Sequence, residues 1–443
     1  MARAEDLADL ICELVRIESV NPDLVASGSG EGAIARFVAS WLADAGLDVE
    51  IVEPVPGRPS VVGVLHGSGS GKDLMLNAHM DTVGAGGMAN PFTPVVRDGR
   101  VYGRGAYDMK ASLAAIMLAA REAPKLKGDL IITAVADEEV ASLGTSAVLE
   151  KYQADYCIVT EPTELRLCLA HKGFVWLEVE TKGVAAHGSR ADLGVDAIAL
   201  MGPALTHILD LENTLKAGQR HPLLGTGSIH ASLIEGGQEL STYPSRCVVK
   251  IERRTIPGEK LFPIYGEVPG EAGEQQLFPI YGEVPGEAGG WGEKGELFPI
   301  HGEVPGEAGG RGEKGELFPI HGEVPGEAGG WGEKGELFPI HGEVPGEAGG
   351  WGGAKVRVLL ERPPSELSGD HPVSQAVAKA AGNPEVIGVA YWMDMALTNA
   401  AGIPTVAFGP SGEGAHADVE WVDLASVEKC VDVYVKAAQL LCS

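Results

Sequence analysis

With 443 residues the chain is longer than one hydrophobic core usually holds, so two domains are the starting expectation. A formal net charge of −28 disfavours nucleic acid as a partner. The six cysteines, Cys12, Cys157, Cys168, Cys247, Cys430 and Cys442, form no CxxC pair, which disfavours a thiolate metal site and points to reduced thiols in a cytoplasmic protein.

The opening stretch MARAEDLADLICELVRI is too charged for a secretory leader, and no apolar run approaches membrane-spanning length. Leu7, Leu10, Ile11, Leu14 and Val15 recur at helical spacing, as do Ile34, Phe37, Val38, Trp41 and Leu42, with Gly46 as a stop. Strand-like runs follow at 49–52, 60–65 and 74–78, the last leading into His79-Met80-Asp81-Thr82. A Gly-rich loop then brings Asp108 to the start of a helical pattern with Met109, Leu113, Ile116, Met117 and Ala120 on one face. The next strand, 130–135, ends in Ala136-Asp137-Glu138-Glu139, and a helix over 142–152 leads to a strand at 156–159 that ends in Thr160-Glu161-Pro162. Alternation of this kind predicts an α/β sheet buried on both faces, whose sites gather where strands end.

Near residue 173 the texture changes. A half-exposed strand at 174–180 precedes Ala186-His187-Gly188-Ser189 and a helical run through 209. Strand patterns at 227–234 and 247–255 read as an antiparallel pair, and a strand at 355–360 would complete an α+β satellite with one helix missing. The α/β texture resumes with a helix at 373–380, a strand at 404–408, a Gly-rich loop ending in His416, and a long helix at 424–441. The expected organisation is one domain in two parts, 1–172 and 358–443, interrupted by a second, satellite domain over 173–357.

Residues 257–353 interrupt the satellite in turn. The core LFPI(Y/H)GEVPGEAG starts at Leu261, Leu277, Leu297, Leu317 and Leu337, and the stretch holds 18 Glu against five Lys or Arg. A period of this length can mean a solenoid. The density of Gly, Pro and Glu opposes helices and long strands, so an acidic, disordered or turn-rich insertion is expected. His301, His321 and His341 recur among glutamates and are weak grounds for metal binding.

His79, Asp108, Glu139, Glu161 and His416, with Glu138 beside them, form a set of nitrogen and oxygen donors suited to zinc and its neighbours. Five such ligands, one able to bridge, would serve two divalent ions and leave open positions for water or substrate. Glu138 immediately precedes a ligand, the position a general base requires. Asp81, two residues after His79, could accept the other imidazole N–H and fix its tautomer. Spacing leaves alternatives open: His79 as a core histidine, Asp108 as a helix N-cap, Asp81 as a turn former, and the glutamates as solvated strand ends.

The strings HMDTV, GRGAYDMKAS, ADEEVASLGT, TEPT, GVAAHGSR, IERRTIPGE and GEGAH occur in an order that resembles the dinuclear-zinc family of aminoacylase, acetylornithine deacetylase, succinyl-diaminopimelate desuccinylase and glutamate carboxypeptidase. The resemblance spans about residues 5–258 and 354–441. It implies a zinc-exopeptidase-like α/β domain with an inserted ferredoxin-like satellite, two divalent cations (zinc, with cobalt as a substitute), and a homodimer. It also implies His79, Asp108 (bridging), Glu139, Glu161 and His416 as ligands, Glu138 as the base, and a cis peptide bond after Asp108. His187 matches a histidine that steadies the oxyanion, and Arg254, next to Arg253, matches an arginine that holds the substrate carboxylate. Residues 409–414 could offer backbone N–H groups to the substrate's polar end.

The activity implied is hydrolysis of the amide bond of an N-acyl amino acid by a metal-activated water. Cleavage of dipeptides or of short peptides is the alternative within the same family. The repeat lies where the resemblance implies a second satellite helix, so a catalytically weakened relative acting as a binding or spacer protein is the alternative of another class.

Overall fold

The structure, a computed structural model, describes residues 2–259, 275–276 and 354–443. The tandem repeat, apart from Gln275–Gln276, lies outside the described residues, and with it the expectation of disorder or turns and the three repeat histidines. The chain divides into two compact units, one made of Met1–Lys172 and Pro363–Ser443 and the other of Gly173–Arg362.

The first unit is built on a nine-stranded mixed sheet. From one edge its strands run Asp48–Val52, Ser60–Leu65, Leu130–Val135, Leu74–His79, Tyr156–Val159, Thr405–Ala407, Leu167–His171 and Ser365–Glu366, with Val386–Val389 also pairing on Leu167–His171. Leu130–Val135, Leu74–His79, Tyr156–Val159 and Thr405–Ala407 are consecutive and parallel, in a register that places His79 opposite Val135, and Val159 opposite both Asn77 and Ala407. All four are buried along their whole length, so each reads in the sequence as a mostly apolar run without alternation. Four neighbouring strands that point the same way deliver their following loops to the same edge. Those loops carry Glu138 and Glu139, His79 with Asp81, Glu161, and the Gly-rich segment that runs to His416.

Helices cover this sheet. Ala111–Glu122 has ten buried residues from Ala111 to Ala120, and Leu424–Leu441 is capped by the Asp423 carboxylate, which accepts from the amide of Ser426 at 2.8 Å. Helix formation begins at Ala111 and not at Asp108, whose φ of −117° and ψ of 96° are extended. The Asp108 side chain caps nothing, so the N-cap alternative is set aside. A separate four-stranded sheet, ordered Gly412–Glu413, Trp421–Asp423, Arg100–Tyr102 and Val95–Arg97, joins the segment around His416 to the one that leads into Asp108.

The second unit is a sheet ordered Ser228–Gly236, Arg246–Thr255, Gly173–Lys182, Lys355–Arg362 and Gln275–Gln276, with the helix Ala197–Ala217 on one face. Val175, Leu177 and Val179 alternate inward and meet Met201, Ile208 and Leu211 of the helix in one buried cluster. The opposite face is ionic, with Arg357 on Glu178 at 2.8 Å and Arg246 on Glu180 at 2.5 Å.

Candidate metal centre

His79 ends its strand with its ring 1% exposed, between three acidic neighbours. Its Nε2 lies 3.1 Å from Asp108 Oδ1 and 3.5 Å from Glu161 Oε1. His416 approaches the same aspartate from the other side, with Nε2 3.4 Å from Asp108 Oδ2 and 3.1 Å from Glu139 Oε2. One carboxylate thus faces two imidazoles, one on each oxygen. Ligand atoms of His79, Asp108 and Glu139 lie within 4.8 Å of one another, as do those of His79, Glu138 and Glu161. All six residues derived for the centre from the sequence are brought together.

The second imidazole nitrogen of His79 is engaged, but not as anticipated. Nδ1 donates to the backbone carbonyl of Asp81 at 2.9 Å, while the Asp81 carboxylate stands 3.6 Å away. With Nδ1 held as a donor, Nε2 is the nitrogen turned to the acidic cluster and the one that a metal would take. The Asp81 carboxylate works instead on the next strand end: it accepts from the amides of Glu138 at 3.1 Å and Glu139 at 3.2 Å, and from Asn21 Nδ2 at 2.8 Å. It holds the turn that aims both glutamates.

That turn is unusual. Asp137 has φ +68°, a left-handed conformation that non-glycine residues seldom adopt. It is kept there by Asn21 Nδ2 and Arg58 Nη2, 3.0 and 2.7 Å from Asp137 Oδ1, and by three following amides that donate to its carbonyl. The peptide bond between Asp108 and Met109 is cis, as the resemblance implies.

The site carries more negative charge than its protein partners neutralise. Burial and the neighbouring carboxylates push Glu138 and Glu161 well above the usual carboxylate range. Burial also raises Glu139, against the hydrogen bond from His416. Burial opposes ionisation of Asp108, yet hydrogen bonds from His416 and His79 hold it well below its ordinary value. His416, bonded to Asp108 and Glu139, is pushed up to about 10. Burial lowers His79, but the bond to Asp108 and the charge of Glu161 outweigh it and leave it well above 6.5. Glu139 Oε1 is buried with no hydrogen-bond partner. An orphaned carboxylate oxygen, two imidazoles and a surplus of buried negative charge fit divalent cations, because an unpaired buried charge is costly.

Other residues that support the centre were given no role from the sequence, although Arg104 lies within the string GRGAYDMKAS. Asp394 is 1% exposed, accepts from the Thr145 hydroxyl, and is raised by burial to about 6. Glu420 and Arg104 are equally buried and join the two loops that carry His416 and Asp108. Their partners lie far away in the sequence, so the usable signals were the position of Glu420 four residues after His416 and that of Arg104 four residues before Asp108.

His187 and Arg254 belong to the second unit. His187 is exposed, with Nδ1 2.8 Å from Ser189 Oγ. Arg254 is partly exposed, lies 5.2 Å from the centre of the Phe174 ring and donates to Glu252 at 2.6 Å, whereas its neighbour Arg253 is buried on Glu259. In the loop before His416, the amides of Gly409 and Ser411 donate to the hydroxyls of Thr163 and Ser426. Those two N–H groups are therefore committed within the protein.

Known proteins resemble the chain at both levels. The family description "Peptidase family M20/M25/M40" matches residues 75–440. Acetylornithine deacetylase from Photorhabdus laumondii is 32% identical over 270 residues, 58% of this chain and 69% of that one. The protein of the same name from Salmonella newport is 33% identical over 268 residues, covering 57% and 68%. In structure, aminopeptidase PepT from Bacillus cereus superposes with a TM-score of 0.65 at 17% identity, covering 99% of both chains. A Bacillus subtilis protein described as a dinuclear metal binding peptidase superposes with a TM-score of 0.61 at 15% identity, covering 100% of this chain and 99% of that one. These likenesses agree with the mixed α/β sheet and with the acidic cluster at its strand ends: the chain belongs to peptidase family M20/M25/M40 and is a metal-dependent hydrolase.

Proposed function

We propose that this enzyme hydrolyses the amide bond of an N-acyl amino acid at a centre of two divalent cations, zinc in preference. The observation that carries the reading is Asp108, whose two oxygens face His79 and His416 separately. On this reading Asp108 would be shared by the two cations, with His79 and Glu161 as the side chains that would hold one and His416 and Glu139 those that would hold the other. The cations, when bound, would polarise the scissile carbonyl and bring the pKa of water towards about 7.

The protein's own groups then have separate tasks. Glu138 takes the proton of the attacking water and returns it to the nitrogen as the carbon–nitrogen bond breaks. Asp81 fixes the backbone on either side of that base. His187 is assigned to the oxyanion, and Arg254 to the substrate carboxylate, a task suited to a bidentate guanidinium. These two assignments rest on the motifs GVAAHGSR and IERRTIPGE. The identity to acetylornithine deacetylases favours an acyl amino acid over a dipeptide. Exposed Leu233 and Ile234 on the outer strand Ser228–Gly236 support a homodimer formed through the second unit. Among the described residues no helix is long and apolar enough to cross a membrane.

Glu138→Gln is expected to keep both cations and to lose hydrolysis by about 10²- to 10⁴-fold, the usual share of a general base. Normal turnover by this variant would reject the assignment. His416→Ala is expected to lower metal content towards one ion per chain by elemental analysis. A panel of N-acetyl amino acids and dipeptides would decide the substrate class.

A further inference from the structure

We propose that Arg104 and Glu420 form a clasp that sets the distance between Asp108 and His416, and that Arg104 acts selectively on the cation served by His416. The proposal rests on the two-cation reading of the centre. The two segments involved leave adjacent strands: Trp421 pairs with Tyr102, and Asp423 with Arg100. From there one chain runs through Arg104 to Asp108, and the other runs back through Glu420 to His416.

The Glu420 carboxylate is filled entirely by the first segment. Its Oε2 accepts from Arg104 Nη1 at 2.7 Å and from the amide of Gly105 at 3.0 Å. Its Oε1 accepts from the amides of Tyr107 at 2.8 Å and Asp108 at 3.0 Å. Arg104 closes the loop in the opposite direction, with Nη2 on the carbonyl of Ala417, next to His416, at 2.9 Å and Nε on the carbonyl of Gly84 at 3.1 Å. Both side chains are 1% exposed. His416 itself has φ +62°, so its backbone needs such external support. Neither Arg104 nor Glu420 bonds to a ligand side chain, so both are positioning residues.

The geometry separates their effects. In Arg104→Lys a single ammonium can still pair with Glu420, but it cannot also hold the carbonyls of Ala417 and Gly84 in a planar fork. Asp108 would stay in place while the His416 segment is released. In Glu420→Gln the amide nitrogen would face the Gly105 N–H and the Arg104 guanidinium, donor against donor. The Asp108 backbone would then shift, and Asp108 serves both cations.

Metal-stripped full-length protein titrated with cobalt, followed by calorimetry and visible absorption, tests the clasp without measuring activity. The wild type is expected to bind two ions. Arg104→Lys is expected to bind the first within about threefold of wild type and the second about 10- to 100-fold more weakly, the range typical of partners that orient ligands. Glu420→Gln is expected to weaken both by about tenfold or more. Thermal unfolding of each variant checks that it is folded, and Glu420→Gln carries the test alone if Arg104→Lys is not. Unchanged second-ion affinity in Arg104→Lys, an equal fall at both sites, or unchanged affinities in Glu420→Gln would overturn the clasp. A wild type that binds fewer than two ions would instead overturn the two-cation reading, and the clasp with it.

Discussion

Arg58 is 6% exposed and bonds three acids drawn from separate segments. Its Nε and Nη2 fork onto Glu31 at 2.8 and 2.9 Å, Nη2 also reaches Asp137 at 2.7 Å, and Nη1 reaches Asp23 at 2.5 Å. Glu31 and Asp137 are fully buried, so this guanidinium balances charges that water does not reach. Arg58→Met would leave both carboxylates buried without their cation, and removal of one partner of such a pair costs about 3–5 kcal/mol. Urea denaturation of the metal-free protein should show a loss of that size. A loss below about 1 kcal/mol would show that Arg58 does not balance buried charge in this way. Nothing in the sequence around Arg58 announces this role, because its partners lie 27, 35 and 79 residues away. The ligands were legible for the opposite reason: each lies within a few residues of the end of a mostly apolar strand or of a glycine-rich loop.

Among the elements, the four central parallel strands were legible in the sequence because burial on both faces makes them mostly apolar runs. Leu167–His171 was not. It is as buried as they are, yet five residues with a histidine and a cysteine do not separate a strand from a loop by pattern alone. The short hairpin of Val95–Arg97, which is exposed, and Arg100–Tyr102, where only Val101 is buried, has no apolar stripe to read, although it helps to place the segment around His416. Leu167–His171 carries its own consequence for stability. His171 is 0% exposed, and burial lowers its pKa from 6.5 to about 4 despite the bond from Nδ1 to the carbonyl of Lys172 at 3.0 Å. Its folded value lies below its unfolded value, so its contribution is full above pH 6.5 and is lost as the pH falls to about 4. Within that window the unfolded chain binds a proton that the fold refuses, at a maximum cost of about 3 kcal/mol. His171→Gln should therefore show a shallower loss of urea stability between pH 6.5 and 4.5 than the wild type. Parallel profiles would overturn the assignment.

For the molecule as a whole, the acidic repeat is constrained by the strands on either side of it. Arg246–Thr255 and Lys355–Arg362 both pair antiparallel with Gly173–Lys182, so they run parallel to one another. Thr255 lies opposite Gly173 and Lys355 opposite Glu180, at different ends of that strand. The connection must return along the sheet over roughly seven residues of strand, about 23 Å, and parallel strands need a crossover of about a dozen residues or more. The stretch 257–353 is far longer than this requirement. It also contains none of the residues proposed to bind metal, all of which lie in the unit of Met1–Lys172 and Pro363–Ser443. Replacing residues 261–350 with a flexible linker of about 20 Gly and Ser residues satisfies the crossover. The shortened protein should bind the same number of cobalt ions, with affinities within about threefold of the full chain. On the proposed reading hydrolysis also uses His187 and Arg254, which belong to the unit of Gly173–Arg362 that the linker closes. Unchanged metal binding with a lowered kcat/KM would place the repeat's contribution in the second unit. Loss of metal binding would show that the first unit depends on the repeat, contrary to this reading.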